Sequence, residues 1–452
     1  MQENSNAVDE VLFHSSPIVN FYNGRSVFVT GATGFLGTVL VEKLLFSCNG
    51  INNIYILIKR KNQKSTEERF FDYLNSTAFQ RIKDKNPSLM KKIKPISGNL
   101  EEDNIGISRN DISLLQQEVS VVFHAAAKLS FNMDMTTAIN INTKPTEQLI
   151  AICKQMQNIS VFVYVSSAYS NMHKQVIDEK VYKTGVALET VFDTLKSKGC
   201  ADNLLDGRPN AYTYSKALTE EIIEKEFDDI PAAIVRPSII ISSLKEPMPG
   251  WVTGWQGLTR VVAVACRGLL RIWYGNPSVV LDIIPVDYVA NLLIAAAWET
   301  SQSRLKNANG VKIFNCCSGL RNPIDVGHFM DICVKHGKRH ILTNRRFRIK
   351  SNYISYKMWL LVLHVIPSFI LDIVCWVTGK KPVMMKTLKN ILRLSSYLEY
   401  FTQHQFLILD SNVQALLRKM EDIDQQIFEL DVTKIQWEEY LKDYVLGITK
   451  YN

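Results

Sequence analysis

The chain has no paired cysteine spacing. Its eight cysteines are scattered, with no CxxC pair and only Cys316 and Cys317 adjacent. That excludes a disulfide scaffold and fits reduced thiols inside a cell. No clustering of residues suggests a metal site. Met1 to Glu10 is polar and acidic without an apolar run, so no signal peptide is expected. Thr449-Lys450-Tyr451-Asn452 is no peroxisomal tripeptide. Carboxylates are in the minority, 44 against 52 Lys and Arg, a formal charge of +8. Such a surplus favours phosphorylated small molecules or lipid headgroups, and it is too dispersed for nucleic acid. Apolar material is not short: 46% of 452 residues is enough for a large core and for two domains, or one plus an appendage.

What is present is organised around Val27-Phe28-Val29-Thr30-Gly31-Ala32-Thr33-Gly34-Phe35-Leu36-Gly37. An apolar run meets three glycines spaced by three, then an apolar-periodic segment from Phe35 to Leu45, which reads as strand, tight turn and helix. Gly31 suits the turn, Gly34 lets backbone approach a pyrophosphate, and Gly37 lets the helix pack on its strand. The helix amides then face the anion. The pattern predicts dinucleotide binding.

Further apolar runs follow at Ile54–Ile58, Ile93–Ser97, Val119–His124, Val161–Val165, Ala232–Val235 and Ile313–Cys316. Helical stretches between them predict an α/β fold with a doubly wound parallel sheet, its ligands at the carboxyl ends of the strands. Gly98, Ala125 and Ser167 lie at such ends. Ile54–Ile58 runs into Lys59-Arg60-Lys61, with no acid until Glu67. An acid there would hold ribose hydroxyls, whereas a basic residue accommodates a 2′-phosphate, so NADPH is expected. The irregular aromatic section from Pro247 to Tyr274 reads as an insertion building a substrate pocket.

Tyr212 and Lys216 fall one turn apart behind a plausible cap, Asn210. An ammonium beside a phenol would lower its pKa from about 10 towards neutrality. Ser167 could hold a carbonyl oxygen beside that phenol. The same spacing recurs at Tyr55/Lys59, which is mid-strand, and at Tyr353/Lys357, far down the chain. Only Tyr212 follows the serine-bearing strand.

With these segments assembled, the chain resembles the fatty acyl-CoA reductases of the extended short-chain dehydrogenase/reductase superfamily. The carrying motifs are the glycine turn, Val122-Phe123-His124-Ala125-Ala126, Tyr164 to Asn171, Pro209 to Glu220 and Ile234 to Ile239. Lys245-Glu246-Pro247, Pro249-Gly250-Trp251, Asp282 to Asp287, Gly379-Lys380-Lys381-Pro382, Phe428 to Asp431 and Trp437 to Tyr451 extend the likeness over nearly the whole chain. The pattern is most similar to insect members making pheromone or wax alcohols. The resemblance implies NADPH-dependent reduction of long-chain acyl-CoA to a primary alcohol through an aldehyde. Tyr212 would be proton donor, Lys216 its partner on the nicotinamide ribose and Ser167 the polarising hydroxyl. Cofactor contacts would come from Thr30, Gly31, Thr33, Gly34, Phe35, Leu36 and Gly37, from Lys59 and Arg60, and from Asn99, Leu100, Ala125 and Ala126. Asn142, Pro237, Ser238 and Ile239 complete that set. Three positions depart from the family pattern: Asn99 replaces a usual Asp, Pro145 a usual Gly, and Lys59-Arg60-Lys61 the common Arg-Pro-Lys. Other enzymes sharing the early motifs (epimerases, dehydratases, hydroxysteroid dehydrogenases) lack the appendage from Lys380 to Tyr451. A catalytically silent membrane scaffold would not need Tyr212, Lys216 and Ser167. The alkyl chain is expected against Trp251, Trp255 and the C-terminal domain.

Met358 to Val377 is twenty residues long, enough for ~30 Å of hydrocarbon, but contains His364, Pro367, Ser368 and Asp372. Pro367 splits it, leaving an embedded hairpin or interfacial helix pair, a true span, or a soluble core helix. Cations flank both sides: Arg345, Arg346, Arg348 and Lys350, then Lys380, Lys381 and Lys386. They suit an anionic headgroup surface. The chain thus divides into an N-terminal tail (1–22), a nucleotide-binding and substrate unit (23–335), a basic linker (336–357), a membrane-associating segment (358–378) and a helical C-terminal domain (379–452). The expected location is a membrane with the catalytic domain in the cytosol, the endoplasmic reticulum by family resemblance.

Overall fold

The computed structural model describes residues 15–451 apart from 62, 187, 199–204, 228–229, 306–309, 338–346 and 397–398. Seven apolar runs form one sheet: β1 Ser26–Thr30, β2 Ile54–Ile58, β3 Ile93–Ser97, β4 Val119–His124, β5 Val161–Val165, β6 Ala232–Pro237 and β7 Lys312–Cys316. Their order is β7-β6-β5-β4-β1-β2-β3, and every pairing is parallel. Helices cover both faces, which is why β1, β2, β4, β5 and β6 are buried along their whole length. β3 is the edge strand, and it can carry Pro95 because one side of its backbone has no partner to serve. The strand order reverses between β1 and β4, opening a crevice at their carboxyl ends. The fold is the Rossmann-like one expected.

Part of the expected N-terminal tail (1–22) is a docked helix. Helix α1 (Pro17–Tyr22), capped by Ser16, is docked, with Ile18 and Tyr22 fully buried. The Tyr22 hydroxyl donates to Ile294 O at 2.9 Å, within α4 (Val286–Leu305). Four buried side chains, Ile18, Val19, Phe21 and Tyr22, make too short a run to announce a buried helix, and its partners are distant in sequence.

Helix α2 (Phe35–Ser47) follows the glycine turn, and α3 (Ala211–Glu226) follows Asn210, whose side chain accepts the Thr213 N–H at 3.0 Å. After β6 the insertion begins with Ile239–Ile241, paired to Ile283–Pro285. The Asp287 carboxylate then accepts the N–H groups of Leu244, Lys245 and Glu246 at 2.9, 2.8 and 3.1 Å, which fixes the next loop. The expected linker is partly a strand, since Arg348–Lys350 pairs with Ile272–Tyr274; Arg345 and Arg346 lie outside the described residues.

The apolar segment forms one 25-residue helix, α5 (Tyr353–Val377). Pro367 does not turn the chain back. It sits in the first turn of Ile366–Val377, where its missing N–H is not needed, and a π-helical stretch at Leu361–Val365 absorbs the irregularity. The reversal comes after Thr378, at Gly379 (φ 73°), and leads into α6 (Met384–Ser396). Asp372 accepts the first two N–H groups of α6 at 2.8 and 2.9 Å, tying the two helices together. Only 11% of the most apolar stretch of α5 is buried, so it is not packed inside the core of this chain.

Beyond α6 lie α7 (Glu399–Gln403) and, at the end, α8 (Trp437–Lys450). These do not form a separate core. Tyr440 donates to Ser242 O at 2.6 Å and Tyr444 to Thr259 Oγ1 at 2.9 Å. A Cβ on Gly447 would sit 2.7 Å from the Gly250 carbonyl carbon, so only glycine lets α8 lie on the insertion. A short strand, Leu407–Ile408, also pairs with Val176–Ile177.

Candidate active site

The glycine turn is as tight as its spacing implies. Gly31 has φ 73°, and a Cβ there would lie 2.7 Å from Ala126 N. A Cβ on Gly37 would lie 2.7 Å from Ala32 Cα. Gly34 is the N-cap of α2 and brings no side-chain cap, so the first amides of that helix are left for an anion. Thr30, Thr33, Phe35, Leu36, Ala125 and Ala126 lie around this turn on β1, α2 and the end of β4. His124 braces it from below: its Nδ1 is 2.6 Å from Thr30 Oγ1 and its Nε2 2.9 Å from Thr146 Oγ1. Burial, then the nearby Lys216 charge, brings its pKa down to about 3, so the ring is a neutral spacer.

At the end of β2, Lys59 is paired with Glu101 at 2.7 Å and, further on, Lys64 with Asp72 at 2.6 Å. Arg60 and Lys61 form no ion pair among the described residues. They line a shallow cavity with Lys64 and Ser65, and an adjoining one brings Lys61, Lys64 and Arg69 next to Thr33. No carboxylate comes from the end of β2. A concave turn that only glycine can form, with cations beside it, fits a phosphorylated dinucleotide. Asn99 donates to Glu102 at 2.7 Å and accepts the Glu101 N–H at 3.2 Å, with Leu100 between them. Asn142 is set in a π-helical stretch, Ile139–Thr143. Its Oδ1 accepts the Lys128 N–H at 2.8 Å and its Nδ2 donates to Ser215 Oγ at 3.2 Å, so it shapes the loop after β4. Pro237, Ser238 and Ile239 lie at the end of β6, where the Ser238 N–H donates to Cys316 O at 3.0 Å.

On α3, Tyr212, Lys216 and Glu220 fall on one buried face at four-residue intervals. The Lys216 ammonium donates to Val165 O at 2.7 Å and lies 4.5 Å from the centre of the Tyr164 ring. It thus stands at the carboxyl end of β5, two residues before Ser167. Burial lowers its pKa to about 7, against the pull of Glu220. The expected effect of the ammonium on the phenol is absent: burial pushes Tyr212 upward from its ordinary value, so it is a neutral phenol. The reason is that Lys216 spends its contacts on a carbonyl and another ring. Ser167 Oγ accepts the Tyr169 N–H at 3.2 Å and, among the described residues, gives its own proton to no one. Ser166 by contrast donates to Glu220 Oε1.

Glu220 is the anchor that sequence reasoning missed. It is fully buried and held by Arg236 of β6, Nε at 2.8 Å and Nη2 at 2.6 Å. Arg236 also donates to Asp178 O at 2.9 Å and Lys180 O at 2.7 Å. The signal was available, since Glu220 continues the Tyr212–Lys216 stripe by one more turn.

The expected aromatic residues and the rings nearest Tyr212 lie in different places. Trp251 is buried, stacked on Phe35 at 5.7 Å with its Nε1 donating to Thr77 at 3.2 Å, and Trp255 lies under Arg267 at 4.2 Å. Trp251 also lines the cavity next to Thr33. The ring beside Tyr212 is Phe131, edge-on at 6.0 Å; Phe401 of α7 then meets Phe131 at 5.8 Å and Tyr169 at 4.8 Å.

Comparison with known proteins places this arrangement. Two family models, both described as "Male sterility protein", match residues 29–293 and 363–452. Human fatty acyl-CoA reductase 1 is 36% identical over 445 residues, covering 96% of this chain and 86% of its own. Mouse fatty acyl-CoA reductase 2 is 35% identical over 448 residues, with the same coverages. Among solved structures, the reductase domain of a nonribosomal peptide synthetase from Mycobacterium tuberculosis superposes with a TM-score of 0.65 at 16% identity, over 94% of this chain and 91% of that one. The terminal reductase domain of the myxalamid pathway gives 0.64 at 15% identity, over 95% and 91%. At such identities these two show the fold alone.

Proposed function

The chain belongs to the fatty acyl-CoA reductase family, and from that premise we propose that it reduces long-chain fatty acyl-CoA to the primary alcohol, through the aldehyde, with NADPH. What supports the reading is Lys216, held at the carboxyl end of β5 two residues before Ser167, with Tyr212 one turn earlier on the same helix. Bound NADPH would supply one hydride to the thioester and, from a second equivalent, one to the aldehyde, so two protons are taken up and coenzyme A thiol leaves. Ser167, whose hydroxyl proton is uncommitted, donates to the carbonyl oxygen as it gains charge. Tyr212, kept neutral by burial, gives its proton to the alkoxide. Lys216 holds the ribose hydroxyls and Thr30 to Gly37 the pyrophosphate. Asn99, Leu100, Ala125 and Ala126 flank the adenosine, and Pro237 to Ile239 close the nicotinamide side. The test is to give the purified protein acyl-CoA and NADPH in detergent and lipid. Fatty alcohol and free thiol should both appear; a protein that binds NADPH and forms neither refutes the reading.

Preference for the 2′-phosphate is assigned to Arg60 and Lys61, the cations at the end of β2 that form no ion pair among the described residues. A charge-assisted contact is worth about 1.5–3 kcal/mol, or tenfold and more in affinity. Arg60→Ser/Lys61→Ser should therefore weaken NADPH binding by roughly that factor and leave NADH unchanged, as fluorescence titration would show.

Lys216 gives a pH dependence with a definite sign. Its pKa is held down to about 7, so its charged form is present below that pH and lost above it. If only the ammonium holds the ribose, NADPH affinity is full near about pH 6 and falls as pH rises through roughly 7 to 9. Lys216→Met should bind more weakly and lose the slope.

We infer membrane attachment through a helix pair lying in the interface. The exposed side of α5 carries Met358, Val362, Phe369, Ile370 and Trp376, all more than half exposed. Its polar groups are engaged within the chain, Asp372 by α6 and His364 by the Arg271 N–H at 3.0 Å. Lys386, Lys389 and Arg393 on α6 are exposed and do not belong in hydrocarbon, whereas headgroups suit them. The seven described cysteines are unpaired, which supports a catalytic domain on the reducing, cytosolic side.

A further inference from the structure

Beside the catalytic helix lies a cavity of about 360 Å³ that none of these roles uses. It opens between Pro209 and Asn210 at the start of α3, Phe131 on the loop after β4, and α7. Phe131 separates it from Tyr212, and Phe401 backs Phe131. The lining is not that of an alkyl tunnel. Rings of Phe131, Tyr400 and Phe401 alternate with Glu399, Gln403 and His404. Gln403 Nε2 is buried with no hydrogen-bond partner among the described residues. A buried amide donor left unpaired is costly, and an alkyl chain has nothing to offer it. Ser396, at the end of α6, is also part of the lining. That helix has Lys386, Lys389 and Arg393 exposed and contains no carboxylate.

We propose that this cavity receives the pantetheine arm of the thioester substrate. The arm is flexible and amphipathic, with amide groups along its length. Gln403 Nε2 donates to an amide carbonyl, Glu399 accepts an amide N–H, and Phe131 and Phe401 flank the methylene segments. The phosphorylated nucleotide end then lies on the side of Ser396, at the end of α6. The acyl chain leaves Tyr212 in another direction. This inference rests on the acyl-CoA reading above, and it separates the two half-reactions, because the aldehyde has no pantetheine arm.

The test compares KM for an acyl-CoA with KM for the free aldehyde of the same chain length. Gln403→Leu should raise KM for the thioester roughly tenfold, the loss of one buried hydrogen bond. KM for the aldehyde should stay within about twofold. Phe401→Trp, which fills the same space and leaves the amide alone, is the second variant and should give the same split. NADPH affinity, read in parallel, establishes that each variant is folded. An equal rise for both substrates would mean that the cavity holds the acyl chain, and no change for either that it holds neither; both results overturn the proposal. A wild-type protein that reduces the aldehyde but no thioester would instead overturn the acyl-CoA reading itself.

Discussion

Tyr212→Phe is expected to lower kcat for alcohol formation by roughly 10²–10⁴-fold, the usual contribution of a positioned general acid. The phenol is buried on α3 and its proton is held tightly, so at neutral pH it is present as the donor and not as a phenolate. Phenylalanine keeps the ring, and with it the edge contact to Phe131 at 6.0 Å, while removing only the hydroxyl. NADPH affinity and melting temperature should therefore stay close to those of the wild type. The loss should be larger for the aldehyde step than for thiol release, because collapse of the first adduct expels a thiolate and needs no proton on carbon's oxygen. Steady-state rates with each substrate separate the two. A variant within about threefold of wild type on both would move the proton donor elsewhere.

Arg236→Met should be the most destabilising single substitution outside the hydrophobic core. It leaves Glu220 fully buried, still accepting from Ser166 but with its guanidinium gone. Removing one partner of a buried ion pair costs about 3–5 kcal/mol, since the remaining charge has no compensation. Replacing both ions is often neutral, so Glu220→Leu/Arg236→Met should regain most of the loss. Chemical denaturation followed by circular dichroism would measure both. The pair also sets the position of β5 and α3 relative to one another, through Ser166 next to Ser167 and through Lys216 one turn before Glu220. The double variant should accordingly be stable yet slower. A stable Arg236→Met would mean that water reaches Glu220.

The sheet was legible because parallel strands buried on both faces must be apolar, and the five runs of β1, β2, β4, β5 and β6 stand out between polar stretches. The glycine turn was legible for a steric reason: backbone from β4 and α2 closes on Gly31 and Gly37. Tyr212, Lys216 and Ser167 could be chosen by position along the chain, but their electrostatics could not. Burial raises the phenol where an ammonium one turn away suggested the opposite, because desolvation depends on neighbours brought in by the fold. Trp251 and Trp255 were named from their place in the insertion, and which rings meet near Tyr212 could not be read there. Phe131 and Phe401, which do meet, lie 270 positions apart and share no motif. Pro367 misled in a similar way. A proline splits an apolar run on paper, but in the first turn after a π-helical stretch it costs no hydrogen bond, and the reversal falls at Gly379.

The most direct measurement of the central claim is isotopic. The protein is supplied with unlabelled acyl-CoA and NADPH deuterated at its transferable position, and the lipid product is analysed by mass spectrometry. Two hydride deliveries at the crevice formed by Gly31, Ser167 and Tyr212 predict a fatty alcohol carrying two deuterons on its first carbon, with coenzyme A thiol released in equal amount. Free fatty acid, unlabelled alcohol, or NADPH left unconsumed by a folded, cofactor-loaded protein would contradict it.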